Sequence, residues 1–386
     1  MLKKPTIIQT LAICLSCKLF TFHGSAQALS DKTPEQLNDG WIVTKPSEQG
    51  FDSKQLAALT QRILSGDIHN IHSLLIEHDG KLIYEEYFSG PDQKLGVPFK
   101  NDITFNNTTF HDIRSVTKSI TSAALGIALK GQYTQALDKP VASYFPELHS
   151  QLGEGADAVT LKHALTMTAG LDWNEMTVPY SSAENDEVAM YSTQNPAAMV
   201  LGRNRVTPAG SQWYYNGGLA QVVAGIISKE TGQSLDEYVN KVLFQPLGIK
   251  DYEWMGPPHW ESPSAAAGLR LRARDMAKIG SLYLHNGQWR GEQIVPSQWV
   301  ALSTQHSVKT TPWGDGFADY GYGFMWFPGL LKDNKALRII RALGWGGQAI
   351  FILPELKLSV SVFAGNYRGE GRGNNAKILN AILAAQ

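Results

Sequence analysis

Ser115 and Lys118 stand three residues apart in the stretch SVTK, at the predicted start of a helix. Residues at i and i+3 share one helix face, so the hydroxyl and the amine are expected to be neighbours. The following residues are apolar around nearly the whole circumference, which is typical of a buried helix. Burial lowers the pKa of a lysine, and a neutral amine would accept the proton of the Ser115 hydroxyl and make it a nucleophile. The alternative is that Ser115 only caps the helix.

A second constellation lies in TPAGSQWYYNGG, where Tyr214 and Asn216 are two residues apart in a turn-rich segment. Side chains two apart in an extended conformation point the same way, so both are expected to face one site. The similar pair Tyr238 and Asn240 lies within an amphipathic helix, where the two side chains diverge. We therefore predict that Tyr214 and Asn216 belong to the site, with a buried structural tyrosine as the alternative.

A third element is RALGWGGQAIFIL, in which glycines lead into a predicted strand. Gly344, Gly346 and Gly347 allow close approach of the backbone, and an N–H at this sheet edge is a candidate donor to an oxyanion. The N–H of Ser115 is the other candidate. Glycines before a strand are more commonly turn or bulge residues.

The elements that must position these residues follow from periodicity. Apolar, β-prone runs flank Asp79-Gly80, which predicts a hairpin, and two more flank Pro354-Glu355 near the C-terminus. Helices are predicted between them, one of which, in TLKHALTMTAGL, is expected to end near Gly170. A further helix with a cap at Asp52 or Ser53 is predicted before the first hairpin, and a last helix in NNAKILNAILAAQ. We predict an α+β fold, in which an antiparallel sheet flanked by helices carries an inserted all-helical lobe at about 113–260.

These three motifs, in this order, resemble those of the serine hydrolases of the β-lactamase and penicillin-binding superfamily, in its class C-like branch. The resemblance covers about 50–386 and includes LDKPVASYFPEL, ALTMTAGLDW and YGYGFMWF. It implies a β-lactamase/transpeptidase-like fold and no cofactor. It also implies the following roles: Ser115 as nucleophile, Lys118 as general base, Tyr214 as proton relay, Asn216 as substrate-orienting amide, and the N–H groups of Ser115 and Trp345 as the oxyanion hole beside Gly344. Trp173 matches an aromatic residue that lines the acyl pocket in one subgroup, although a core indole is an equal alternative.

One departure from the family pattern bears on the substrate. Where β-lactamases and carboxypeptidases carry Lys or His, then Thr or Ser, then Gly, this chain has Ala342-Leu343-Gly344. The missing cation holds the substrate carboxylate in those enzymes, so the resemblance is closer to 6-aminohexanoate-dimer hydrolases and β-lactamase-fold esterases. We expect a serine hydrolase acting on a small ester or amide. A D-Ala peptidase or β-lactamase using Arg338 or Arg341, and a non-catalytic binding protein, are the alternatives.

Residues 1–28 have the pattern of an export signal. Lys3 and Lys4 precede an apolar run of eleven residues, too short to span a membrane, and Ala26 and Ala28 fit a cleavage site. Removal of this segment takes away three of the 34 basic residues, leaving 31 against 35 acidic ones and a net charge of −4, which disfavours a nucleic-acid partner. Both cysteines leave with it, so no thiol can be the nucleophile. We expect a periplasmic or secreted domain of residues 29–386, of undetermined oligomeric state.

Metal chemistry is not expected. The pair of histidines in HNIH, His69 and His72, has no third ligand in the sequence, and we expect both to be surface residues. No G-x-S-x-G motif occurs, which disfavours a hydrolase of the Ser-His-Asp type.

Overall fold

A computed structural model describes residues 31–311, 317–332, 337–369, 371 and 373–386. The predicted export signal at residues 1–28 therefore lies outside the described residues. The α-helices are α1 (Ser53–Leu64), α2 (Val116–Ala128), α3 (Tyr133–Asp138), α4 (Leu161–Leu165), α5 (Asp186–Met190), α6 (Pro196–Leu201), α7 (Gly218–Thr231), α8 (Leu235–Val239), α9 (Ala273–Leu284), α10 (Ser297–Ser303) and α11 (Asn374–Ala385).

In the described part of the chain, the strands lie before α2 and after α8. They are β1 (Ile42–Val43), β2 (Ile71–His78), β3 (Lys81–Tyr87), β4 (Ser89–Asp92), β5 (Lys100–Thr104), β6 (His111–Asp112), β7 (Glu253–Trp254), β8 (Leu269–Leu271), β9 (Gln288–Trp289), β10 (Glu292–Gln293), β11 (Val308–Lys309), β12 (Phe317–Ala318), β13 (Gly321–Tyr322), β14 (Phe327–Leu331), β15 (Arg338–Gly344), β16 (Gln348–Leu353) and β17 (Leu358–Ala364).

Distant parts of the chain close the main sheet, whose strand order in the described part is β1-β3-β2-β17-β16-β15-β14-β12. All neighbours are antiparallel except β1 and β3. The N-terminal strand β2 pairs with the C-terminal strand β17, with His78 opposite Leu358. The helices α2 to α8 lie between β6 and β7 in sequence, within the predicted lobe at 113–260. The predicted α+β fold with an antiparallel sheet flanked by helices is confirmed.

Local signals place several elements correctly. β2 and β3 meet at Asp79 and Gly80, whose φ angles of 48° and 82° suit a tight hairpin turn. Asp52 caps α1 by accepting the backbone N–H groups of Lys54 and Gln55. The helix predicted to run to Gly170 is shorter than expected. α4 ends at Leu165, because Met167 adopts a left-handed φ of 54° that a helix cannot continue through.

Both faces of the main sheet are covered, so its central strands are apolar on both sides. In β16, Ile350 and Ile352 join the larger core, which contains α2, α7 and α9. Phe351 and Leu353 join a second core between the sheet and the terminal helices α1 and α11. This two-sided burial explains the apolar run in β16, and β17 is buried along its whole length although it carries Ser359 and Ser361. Among the described residues, no helix is both long and apolar enough to cross a membrane.

Candidate active site

Ser115 stands on a sharp turn between β6 and α2. Arg114, just before it, has a φ of 50°, in the left-handed region that a bulky residue rarely adopts. The Arg114 side chain is held on both sides, because its Nε lies 3.1 Å from Oδ2 of Asp112 and its Nη2 donates to the carbonyl of Gln93. The surrounding structure therefore fixes a strained backbone directly beside the hydroxyl of Ser115, a feature that clusters at functional sites.

Lys118 is buried one turn into α2, with only 1% of its surface exposed. Its Nζ lies 3.2 Å from Oγ of Ser115 and donates to the carbonyl oxygen of Ala266 at 2.9 Å. Ala266 precedes β8, so a separate segment of the chain holds the amine against Ser115. The predicted proximity of Ser115 and Lys118 and the buried character of α2 are both observed.

Tyr215, rather than Tyr214, lies against this pair. The phenol of Tyr215 hydrogen-bonds the side chain of Ser115, and Nζ of Lys118 lies 4.9 Å from the centre of the Tyr215 ring. Burial and the nearby Glu175 raise the pKa of Tyr215 well above its usual value, so the phenol stays protonated. Tyr214 uses its backbone N–H to bind the carbonyl of Met167, and its ring packs on the edge of the larger core.

The difference between the two tyrosines follows from backbone geometry. Adjacent residues of an extended segment point to opposite sides, so only one of Tyr214 and Tyr215 can face Ser115. The Oδ1 of Asn216 accepts the N–H of Leu219 in the first turn of α7. The structure brings Tyr215 to the predicted site and gives Asn216 a helix-capping contact. A signal was available, because Tyr215 is the aromatic residue immediately before Asn216-Gly217-Gly218.

Gly344 closes the site from the sheet. An ideal Cβ on Gly344 would lie 2.4 Å from the carbonyl oxygen of Ile113 and 3.2 Å from Cβ of Arg114. The end of β15 therefore touches the turn that carries Ser115, and only a glycine permits this approach. Trp345 comes next, in a turn completed by Gly346 and Gly347, both with positive φ. Its side chain is half exposed and its ring centre lies 5.9 Å from that of Tyr180.

Comparison with known proteins identifies the family of this chain. The family model described as Beta-lactamase matches residues 72–384, which is most of the chain. The chain belongs to the Beta-lactamase family. The predicted superfamily and the prediction of a serine hydrolase are both confirmed.

Three proteins illustrate what this chain is similar to. Esterase EstB of Burkholderia gladioli is 28% identical over 50% of this chain and 48% of its own length. The 6-aminohexanoate-dimer hydrolase of Paenarthrobacter ureafaciens is 24% identical over 63% of each chain. The crystal structure of a family VIII carboxylesterase, 15% identical, has a TM-score of 0.64 over 86% of this chain and 97% of its own. The chain spans about half to two thirds of the length of these two sequence relatives. The likeness to the carboxylesterase structure shows a shared fold.

Neither predicted alternative cation of this β-lactamase-family chain reaches Ser115. Arg341 is fully buried on β15, where its neighbours in the strand alternate between the two cores. Its Nε donates to the carbonyl of Phe327, and its guanidinium lies 4.5 Å from the centre of the Phe317 ring, on the face away from α2. Arg338 is at the opposite end of β15, about 20 Å along the strand from Gly344, and lies 3.6 Å from Glu355.

Trp173 is a core indole. Only 3% of its surface is exposed, and its ring lies behind Gly218, where an added Cβ would be 2.8 Å from Cη2 of the indole. Its Nε1 donates to Oε2 of Glu175 at 2.8 Å. The burial of Trp173 therefore agrees with the core alternative rather than with an open acyl pocket.

The expectation that both histidines of HNIH lie at the surface is wrong for His72. His69 is exposed as expected, but His72 is fully buried in β2, and its Nδ1 is 2.8 Å from Nε2 of His111. Strand β2 is central in the sheet and covered on both faces, which the local sequence around HNIH does not indicate.

Two acidic residues were missed entirely by the sequence analysis. Glu175 and Glu187 are 1% and 5% exposed and hydrogen-bond each other close to Tyr215 and Lys118. No short motif marks them, since acidic residues twelve apart in a loop-rich segment usually lie at the surface.

Proposed function

We propose that this protein hydrolyses a carboxylic ester or amide through an acyl-enzyme on Ser115, with Lys118 as base and Tyr215 as proton relay. The observation that carries the proposal is that the hydroxyl of Ser115 is contacted at once by the Lys118 amine, at 3.2 Å, and by the Tyr215 phenol. A nucleophile within hydrogen-bond reach of a base, with the base oriented by a third group, is the usual signature of covalent catalysis.

In the acylation step, Oγ of Ser115 attacks the carbonyl carbon while the amine of Lys118 accepts the hydroxyl proton. The resulting oxyanion would be stabilised by the backbone N–H groups of Ser115 and Trp345. Because the Tyr215 phenol is protonated, it can give its proton to the leaving alcohol or amine as the carbon–oxygen or carbon–nitrogen bond breaks. Lys118 then returns the proton to Tyr215.

Water completes the cycle by attacking the acyl-enzyme carbonyl. The proton of the water passes to Lys118, and the bond between the carbonyl carbon and Oγ of Ser115 breaks. Ser115 then regains its hydroxyl proton. The acid product leaves and the resting state is restored. Every proton moves among groups already in contact around Ser115, so the proposed chemistry needs no further reactant than water.

The surroundings of Ser115 favour a substrate without a required carboxylate. Arg114, the cation adjacent to the nucleophile, is engaged by Asp112 and Gln93. Two partly exposed aromatic rings, those of Tyr180 and Trp345, contact each other at the turn after Gly344 and suit an apolar acyl or leaving group. We therefore favour a neutral ester or amide over a β-lactam or a peptide C-terminus.

A fluorophosphonate probe and a p-nitrophenyl ester test the proposal. We expect a mass adduct confined to Ser115, absent in Ser115→Ala and formed at least about 100-fold more slowly in Lys118→Ala. Ester hydrolysis is expected to follow the same order. An unlabelled, inactive wild-type protein would contradict the proposal and favour the binding-protein alternative.

Export is a separate proposal that rests on residues 1–28. We infer cleavage after Ala28 and a periplasmic or secreted mature chain. N-terminal sequencing of the protein from an exporting host should then begin at Leu29. A cell-associated product beginning at Met1 would contradict this.

A further inference from the structure

Two buried carboxyl groups lie behind the Ser115 site. Glu175 comes from the loop before α5 and Glu187 from α5 itself. An ideal Cβ on Gly217 would be 2.7 Å from Oε2 of Glu187 and 3.2 Å from Oε2 of Glu175, so both carboxyls press on the start of α7. Burying two acidic groups in contact is costly unless they share a proton and find further partners.

Glu175 accepts hydrogen bonds from three separate places. Its Oε2 accepts the indole N–H of Trp173 at 2.8 Å and the backbone N–H of Gly217 at 2.6 Å. Its Oε1 accepts the hydroxyl of Tyr180 at 2.8 Å. An ionised carboxylate is an acceptor only, whereas a neutral carboxyl also donates once. Three incoming donors therefore fit an ionised Glu175 and a protonated Glu187 that donates to it.

These partners belong to the two sides of the proposed site. Gly217 is two residues after Tyr215, so the bond to its N–H anchors the segment that places the phenol on Ser115. Tyr180 packs against the ring of Trp345, and the backbone N–H of Trp345 is a proposed oxyanion donor. The Glu175 carboxylate thus contacts Gly217, which holds the segment carrying Tyr215, and Tyr180, which packs against Trp345.

We propose that Glu175, held by a hydrogen bond from Glu187, is the positioning residue that keeps the Tyr215 phenol on Ser115 and the Tyr180 ring against Trp345. This inference rests on the proposed function of Ser115, and it assigns Glu175 and Glu187 no contact with the substrate. Their effect on catalysis passes through Tyr215 and Tyr180.

The loop around Glu175 is built to hold this geometry. The Asn185 side chain donates to the carbonyls of Glu175 and Val178 at 2.9 and 2.8 Å, and its Oδ1 caps α5. The N–H of Asn174 donates to Asp186 at 2.6 Å. The backbone on both sides of Glu175 is therefore fixed, which is what a preorganised site requires.

The shared proton makes the arrangement sensitive to pH. Burial and the adjacent Glu175 raise the pKa of Glu187 well above its usual range. The titratable groups that face Glu187 from the surrounding elements are Glu175, Tyr180, Tyr215, Tyr191, Lys118 and Arg114. Glu187 is neutral below its raised pKa, and above it two carboxylates would repel each other and displace Gly217. We expect activity to fall on the alkaline side for this reason.

The test compares Glu187→Gln, Glu175→Gln and Tyr180→Phe by the pH dependence of kcat/KM and of fluorophosphonate labelling. The amide of Glu187→Gln still donates to Glu175 but cannot ionise. We expect its kcat/KM near neutral pH to stay within about threefold of wild type, and its alkaline limb to move up by at least about one pH unit. Glu175→Gln brings two N–H donors to a place that needs acceptors, so kcat should fall about 10- to 100-fold with a smaller change in KM.

Tyr180→Phe removes one hydrogen bond from a partly exposed ring. This variant keeps the positioning role testable if Glu175→Gln folds poorly. We expect a lower kcat/KM, by about three- to tenfold, with the alkaline limb unchanged. The matched control is Glu77→Gln. Glu77 is also 1% exposed with a pKa raised by burial, but it lies on β2 beside His285. Its substitution should leave the pH profile of kcat/KM as in wild type.

The outcomes separate the two proposals. The positioning role alone is overturned if wild type is labelled at Ser115 while the three variants show no specific effect. In that case Glu187→Gln keeps the wild-type alkaline limb, and both Glu175→Gln and Tyr180→Phe behave like Glu77→Gln. If wild type is not labelled at all, the proposed function fails and the positioning role fails with it. A shifted limb in Glu187→Gln with a normal limb in Glu77→Gln supports both.

Discussion

The carbonyl oxygen of Ile113 lies only 2.4 Å from the place where a residue other than glycine at position 344 would carry its Cβ. We therefore predict that Gly344→Ala moves the end of β15 away from Ser115 and lowers kcat by about 100-fold, since a shift near 1 Å has such an effect in active sites. Steady-state kinetics on a p-nitrophenyl ester measures this change in kcat.

Gly291→Ala is the control, because Gly291 has a φ of 84° and open space around it. That substitution should lower the melting temperature while kcat stays near wild type; equal kcat values for the two variants would refute the prediction.

The two adjacent tyrosines give a matched pair. Tyr215→Phe removes the phenol that contacts Ser115, and we expect kcat/KM to fall by about 10²- to 10⁴-fold. Tyr214→Phe removes a hydroxyl from a ring that packs on the core, and a change within about threefold is expected. The same ester assay, with circular dichroism to confirm folding, compares them. A larger loss in Tyr214→Phe than in Tyr215→Phe would restore the role that the sequence motif suggested.

Lys118 and Lys278 are both buried lysines with different expected behaviour. Lys118→Met should lower kcat/KM by about 10²- to 10⁴-fold, because the base is lost. Lys278 is fully buried, and its Nζ is 2.9 Å from Oδ1 of Asp275. Lys278→Met would leave the Asp275 carboxyl without its partner, and the free energy of unfolding should fall by about 3 to 5 kcal/mol. Urea unfolding and kinetics on the folded fraction distinguish the two effects. Normal turnover in Lys118→Met would contradict its role as base.

The buried histidines predict how stability depends on pH. Burial lowers the pKa of His72 to about 2 and that of His111 to about 3. Both folded values lie below the ordinary value near 6.5, so both rings are neutral in the fold. Their contribution to stability is complete above about pH 6.5 and is lost as the pH falls, with a slope of up to about 1.4 kcal/mol per pH unit for each ring. Acid should therefore destabilise the protein.

His72→Phe tests this, since a phenyl ring can stack on Phe105 as the imidazole does. Between about pH 6 and pH 4.5, its free energy of unfolding should fall less steeply than that of wild type, by up to about 1.4 kcal/mol per pH unit. Urea unfolding at several pH values gives the slopes. His69→Gln, at the exposed end of the same stretch, should keep the wild-type slope. An unchanged slope in His72→Phe would show that His72 does not titrate on unfolding in this range.

Much of the fold was predictable because its signals are local. The hairpin at Asp79-Gly80, the cap at Asp52 and the two C-terminal strands each depend on residues within a few positions of one another. The end of α4 was misplaced because the left-handed turn at Met167 depends on packing, not on a glycine. The burial of His72 was missed because residues more than 30 positions away cover it: its ring stacks on Phe105 and hydrogen-bonds His111.

By itself the sequence determined the family, the antiparallel α+β architecture and the pairing of Ser115 with Lys118. It could do so because spacing along one helix face and the pattern of apolar residues are encoded in consecutive positions. Only the tertiary structure decided that Tyr215 rather than Tyr214 faces Ser115, and that Glu175 and Glu187 meet behind it. An extended backbone reverses its side chains at every residue, and two acidic groups twelve positions apart come into contact only when the loop between them folds back on the start of α7.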